Sequence, residues 1–141
     1  MYKIYLDDMR VPTDNSWTIV RNYDQFVKFI CSLDSLEKIE VISLDHDLGK
    51  QAMDEFFNNV ISKYYIDYNN IKDEYTGLDC AKFLVNFAIL KKQKLPKIGV
   101  HSANPVGSAN IMGYINAYLM SQKQPQDCVR WKIENYIPVN E

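Results

Sequence analysis

The chain has 141 residues, of which 47% are hydrophobic, 24% charged and 13% aromatic, and it carries a formal net charge of −2. This length suits one domain spanning 1–141, and the composition is that of an ordinary globular protein with ample material for a core. The weak negative charge excludes the broad basic face that duplex DNA demands, while leaving room for a local basic pocket that takes a small nucleotide. Three cysteines, Cys31, Cys80 and Cys128, are far apart and without zinc-ligand spacing, so they read as buried, reduced thiols. The N-terminus turns acidic at Asp7-Asp8 before a signal-peptide core forms, and no apolar run is long enough for a bilayer. The expectation is a cytoplasmic chain with no membrane partner.

In chain order, Tyr2 to Leu6 is an apolar run that predicts a strand and stops at Asp7-Asp8. Met9 to Ser16, punctuated by Pro12, Asp14 and Asn15, reads as a loop. Trp17 to Val20 predicts a short second strand. Asp24 to Leu33 predicts a helix with the stripe Phe26, Val27, Phe29, Ile30 and Leu33. Ile39 to Leu44 is nearly continuous in apolar residues, as a buried parallel strand is. Ala52 to Tyr65 carries Met53, Phe56, Phe57, Val60, Ile61, Tyr64 and Tyr65 at helical spacing, a stripe that predicts core packing rather than a ligand box. Asp67 to Thr76 is a polar loop, and Gly77 to Lys92 returns to the helical period. Lys97 to Val100 predicts a strand that stops at His101-Ser102. Asn104-Pro105 opens a helix to about Gln122, with proline in its first turn. The alternation of Val129, Trp131 and Ile133 predicts the last strand. Strands separated by helices imply an α/β fold with a doubly wound, parallel five-stranded sheet in the order 2-1-3-4-5. Ligands of such sheets sit outside the carboxyl ends of the strands.

Acidic and histidine residues gather at those ends: Asp7 and Asp8, then Asp45, His46 and Asp47, then His101. His46 and His101 are the chain's two histidines. Carboxylates hold hard cations such as Mg²⁺, and adjacent like charges are relieved by a cation or by a raised pKa. A carboxylate at Asp45, in apolar surroundings, is costly unless paired or metal-bound. Paired histidines suit the opening of a cyclic phosphodiester, one as base toward water and one as acid toward the leaving oxygen. Alternation along a strand, however, lets Asp45 and His46 share a pocket only if the strand has already begun to turn. Asp47 is expected to orient a histidine or to join the cation shell.

Other positions stay open between two roles. Asp7-Asp8 also suits a solvated turn or cap. Arg10 suits a bidentate phosphate contact or a salt bridge that closes the acidic cluster. Ser102, Asn104, Gly107, Ser108 and Asn110 surround a helix start whose free N–H groups suit an anion, but Asn104 and Ser108 equally suit caps. Gly77 serves a turn, and Asp79 is a weaker site candidate.

Four segments resemble a known family: Leu6-Asp7-Asp8-Met9-Arg10-Val11-Pro12, Ser43-Leu44-Asp45-His46-Asp47-Leu48-Gly49, Thr76-Gly77-Leu78-Asp79, and His101-Ser102-Ala103-Asn104-Pro105-Val106-Gly107-Ser108-Ala109-Asn110. The acids after the first and third strands, and Ser102-Ala103 after the fourth, are similar to two-component receiver domains. The full set is more similar to the cyclic-phosphate-processing receiver-like family. That resemblance implies a receiver fold, flavodoxin-like in topology. It implies that Asp7, Asp8 and Asp45 keep the cation role and that His46 and His101 are added catalytic groups. The chain departs from true receivers in three ways. The loop Met9 to Ser16 stands in place of the first helix, no Lys-Pro follows the last strand (Arg130 or Lys132 are the nearest cations), and His46 sits beside the would-be phosphoacceptor.

The resulting expectation is a metal-assisted phosphoesterase that opens a cyclic phosphate on a nucleotide, an ADP-ribose derivative or an RNA end. Asp7, Asp8 and Asp45 hold Mg²⁺ or Mn²⁺, and His46, His101 and Asp45 are catalytic. Arg10, Ser102, Asn104, Gly107 and Asn110 bind phosphate. A metal-free version uses the two histidines alone. The rival expectation is a signalling or nucleotide-binding module, with Asp45 accepting a phosphoryl group or the pocket only sequestering a nucleotide.

Overall fold

The computed structural model describes residues 1–131 and 136–137. Strands β1 (Tyr2–Leu6), β3 (Trp17–Val20), β4 (Ile39–Leu44), β5 (Lys97–Val100) and β6 (Val129–Arg130) form one sheet, and β2 (Val11–Pro12) pairs with β7 (Tyr136–Ile137) apart from it. Every pairing in the main sheet is parallel, in the order β3-β1-β4-β5-β6. Counting only these five strands along the chain, the order is the expected 2-1-3-4-5. With flanking helices α1 (Tyr23–Leu33), α4 (Gly77–Lys91) and α5 (Pro105–Ser121), this is a receiver-like, flavodoxin-type α/β architecture.

The apolar runs form the central strands because both faces of each strand are covered. Ile4, Leu6, Ile42, Leu44, Ile98 and Val100 pack in the main core with Phe26 and Ile30 of α1, Leu84 of α4 and Ile111 and Ile115 of α5. Each such side chain contributes about 1.5–3 kcal/mol when fully buried. The intervening residues Tyr5, Ser43 and Gly99 project from the other face, since side chains alternate along a strand. On that face Tyr5 stacks on His101 at 4.2 Å and meets Trp17 edge-on at 5.9 Å.

Local signals set the helix ends. Asn22 caps α1 by accepting from the Gln25 N–H, and Thr76 and Asp79 form a reciprocal capping box on α4. Gly77 is needed there for close approach: a β-carbon would meet the Asp45 carbonyl oxygen at 1.7 Å. Its N–H donates to the His46 carbonyl at 2.9 Å, docking α4 against the end of β4.

The segment expected as one core-packing helix over Ala52 to Tyr65 differs. α2 (Lys50–Glu55) runs into a π-helical turn at Phe56–Val60 and a last short turn, α3 (Ile61–Lys63), which ends at Tyr64 with φ of 55°. Only Ala52 and Val60 of its apolar residues are buried, together with Ile66 and Ile71 in a small second core. Met53, Phe57, Ile61, Tyr64 and Tyr65 are exposed. The period was helical, but this crossover lies against a short loop instead of the sheet, so it has little partner surface. The polar loop holds a 3₁₀ turn, Tyr68–Ile71, anchored by buried Glu55, which accepts from the Asp67 N–H and from the side chains of Asn59 and Asn70. Burial alone raises the Glu55 carboxyl, but these hydrogen bonds outweigh it and hold it below its ordinary value.

The last main-sheet strand covers Val129–Arg130, with Trp131 just past it. Ile133, Lys132 and the rest of 132–135 lie outside the described residues. Among the described residues, no helix is long and apolar enough to cross a membrane.

Candidate functional site

The register of the sheet builds the site. Leu6, Leu44 and Val100 are paired neighbours at the ends of β1, β4 and β5. The ladder continues one residue further, with the Asp45 N–H donating to Leu6 O and the His101 N–H to Leu44 O, both at 3.0 Å. Asp7, Asp45 and His101 are therefore the first residues past three aligned strands, on the face opposite Leu6, Leu44 and Val100. One ligand atom from each lies within 4.8 Å of the others, about the spacing of neighbouring strands. Asp8 lines the same cavity without joining this close group.

The cavity measures about 200 Å³ and is lined by Asp7, Asp8, Asp45 and Asp47, by Arg10, Ser102 and Ala103, and by Met9, Met53, Phe56 and Phe57. Asp7 Oδ1 accepts the N–H groups of Met9 (2.9 Å) and Arg10 (2.8 Å). Its Oδ2 lies 3.0 Å from His101 Nε2 and 3.6 Å from Arg10 Nη1. Burial raises the Asp7 carboxyl, but the hydrogen bonds from His101, Arg10 and Met9 outweigh it and hold it below its ordinary value. Asp45 is 4% exposed and accepts from the His46 N–H. Burial, then the charges of Asp7 and Asp47, push its carboxyl well above the ordinary value. Burial and the same two neighbours push Asp8 up to about 6. The salt bridge expected of Arg10 is present, and its side chain also lines the cavity.

Both histidines are fully buried, and neither ring lines the cavity. Each contacts a carboxylate that does. His101 Nε2 meets Asp7, and its Nδ1 lies 2.6 Å from the Ser43 hydroxyl. An ionised carboxylate only accepts, so Nε2–H donates to Asp7 and the Ser43 hydroxyl donates to Nδ1. Burial lowers the His101 pKa, and Asp7 partly offsets this. His46 projects to the opposite face, with Nδ1 at 2.6 Å from Asp47 Oδ1 and Nε2 at 3.0 Å from the Tyr68 hydroxyl. Asn110 donates to that hydroxyl at 2.9 Å, and Asn104 donates to Asp47 at 3.2 Å. The strand has not turned by Asp45-His46, so alternation still separates their side chains.

The remaining expected residues sort by this division. Ser102 lines the cavity; its hydroxyl accepts from the Asn104 N–H, and its carbonyl accepts from Arg130 at 2.8 Å. Arg130 thus braces the loop after β5. Asn104 caps α5, taking the Gly107 N–H on its side-chain oxygen. Gly107 leaves room for a ring: a β-carbon there would meet His46 Cγ at 2.4 Å. Asn104, Gly107 and Asn110 are engaged around His46 and do not line the cavity, and Asp79 serves the cap of α4. Three residues escaped the sequence reading. Ser43 heads one of the family-like segments and is a lone polar residue inside an apolar strand, but nothing in the sequence ties it to a histidine. Tyr68 sat in a segment read as plain loop. Arg21, whose guanidinium donates to the carbonyls of Asp7 (3.1 Å) and Arg10 (2.8 Å), follows the second strand directly and belongs to no motif of its own.

The donor set fits a hard divalent cation. It offers two buried carboxylates, a further carboxylate at the rim and a charge excess at Asp45 that a cation removes.

Compared with known proteins, the chain matches the family model of the cyclic-phosphate processing receiver domain over residues 2–117. It belongs to that family, a receiver domain tied to cyclic-phosphate processing. No curated protein and no solved structure gives a significant match.

Proposed function

We propose that the protein is a metal-assisted phosphoesterase that opens a cyclic phosphate on a nucleotide, an ADP-ribose derivative or an RNA end. The observation that carries this is the in-register row of Asp7, Asp45 and His101, whose two carboxylates form the floor of a cavity that also holds Arg10 and Ser102 while His101 backs Asp7 from behind it. Asp7 and Asp45, with Asp8 at the rim, hold Mg²⁺ or Mn²⁺; when bound, the cation neutralises phosphoryl oxygens. Arg10 and the Ser102 hydroxyl orient the ring phosphate. Water adds to phosphorus, one ring P–O bond breaks, and the leaving oxygen takes a proton, giving a phosphomonoester. His101 and His46 act through the carboxylates they hold, His101 on Asp7 and His46 on Asp47. They are positioning residues that keep those oxygens aimed at the cavity and set their basicity.

The test is incubation with 2′,3′-cyclic nucleotides and ADP-ribose cyclic phosphate, with Mg²⁺, Mn²⁺ or chelator. Ring opening that chelator stops is expected. Absence of turnover on every cyclic phosphate, with acetyl phosphate labelling Asp45 instead, would replace the enzyme by a phospho-accepting module.

A further inference from the structure

Beyond its charged and polar lining, the cavity is walled by Met9, Met53, Phe56 and Phe57. Three of these are exposed: Phe57 at 60%, Met9 at 45% and Met53 at 37%. The helical period of Met53 and Phe57 predicts core packing, yet Ala52 and Val60 bury the crossover while these two side chains, with Met9 of the loop after β1, stay in water beside a carboxylate floor. Phe56 and Phe57 are successive residues, and both reach the cavity from a π-helical turn, a feature that recurs at functional sites. Their rings meet edge-on at 5.4 Å. Large apolar side chains gathered around a charged pocket mark a ligand surface.

We propose that this wall binds the base of a nucleoside cyclic phosphate whose phosphate lies on the carboxylate floor. The inference rests on the cavity being the phosphate centre. The two halves of the lining call for a ligand with an anionic end and a flat apolar end. At about 200 Å³ the cavity is smaller than the roughly 300–1,000 Å³ of pockets that enclose a drug-sized ligand. It holds the phosphate and sugar and leaves the base against Phe57. Aromatic rings stack on any base, and methionine sulfurs contact aromatic edges favourably. A sugar phosphate without a base leaves the wall unused.

The test uses the full chain with saturating Mn²⁺ and two unreactive monoesters, adenosine 3′-monophosphate and the 3-phosphate of methyl ribofuranoside, which lacks the base. Calorimetry should show the adenosine compound binding about 5- to 150-fold more tightly, the range that stacking one base supplies. Phe57→Ala should collapse that ratio toward one, and Phe57→Trp should keep it. Ile61→Ala, on the same exposed stripe but outside the cavity lining, should also keep it. Equal wild-type affinities, a ratio unchanged by Phe57→Ala, or an equal fall in Ile61→Ala would overturn the base site. A preserved ratio without ring opening of any cyclic phosphate supports the base site and removes only the hydrolase reading. Ring opening with equal monoester affinities removes only the base site.

Discussion

The two histidines follow equivalent strand ends yet work on opposite faces of the sheet. His101 is one residue past β5, on the face of Asp7 and Asp45. His46 is two residues past β4, on the face of α4 and α5, packed against Gly107. A single-residue offset in a period-two structure decides which histidine joins the carboxylate row. The other becomes the centre of a hydrogen-bonded network of Asp47, Tyr68, Asn104 and Asn110. Residue type and position after a strand do not by themselves place a group in a site; register does.

The strongest way to break this comparison is to remove the centre of the row. Asp45→Asn should cut cyclic-phosphate opening by about 10³-fold, the scale of several kcal/mol of metal-borne charge stabilisation. The same substitution should not destabilise the fold at pH 7 in chelator, because it deletes a buried charge that Asp7 and Asp47 oppose. A variant that unfolds in urea well before the wild type would show that Asp45 is structural.

His101→Ala should come next, with about 10–100-fold lost in activity, as for groups that orient metal ligands. His46→Ala should lose less activity and more stability, about 1–3 kcal/mol, since it removes a fully buried ring and takes one hydrogen-bond partner each from Asp47 and the Tyr68 hydroxyl, which then keep Asn104 and Asn110. The double variant should show close to the product of the two activity losses, because the rings share no partner. Losses in kcat that fall together for both histidines, with strong coupling, would place them in one unit and undo the division between faces.

The smallest effect concerns pH. The Asp8 carboxyl titrates near 6 in the folded chain against an ordinary 3.8. Between these values the folded state holds a proton that the unfolded state has released. Stability therefore falls as pH rises from about 4 to about 6. Asp8→Asn should remove its share of that fall, leaving the share of Asp45, and make the chain more stable at pH 7 by about 1–2 kcal/mol, after discounting for partial solvent exposure. Urea unfolding at both pH values, in chelator, checks this; parallel profiles for the two proteins would refute it.

Much of the fold was legible because its signals are local and redundant. The runs Tyr2–Leu6, Ile39–Leu44 and Lys97–Val100 end at charged or polar residues, and Thr76 and Asn104 announce the helices they cap. The carboxylate row was legible as three acids at strand ends. Its third close member is His101 rather than Asp8, which depends on pairing that no single segment encodes. The crossover from Ala52 to Tyr65 misled because periodicity reports an apolar face without reporting what covers it. Ser43 and Tyr68 were hidden for the same reason: their roles come from partners 58 and 22 residues away.

Calorimetric titration of Mn²⁺ into the wild type, Asp45→Asn, His101→Ala and His46→Ala tests the division between the two faces most directly. Binding should vanish in Asp45→Asn, weaken by about 10–100-fold in His101→Ala, and stay near wild type in His46→Ala. Equal affinities in all four proteins, or a loss in His46→Ala as large as in His101→Ala, would contradict the assignment of the cation to the Asp7 and Asp45 carboxylates that His101 supports.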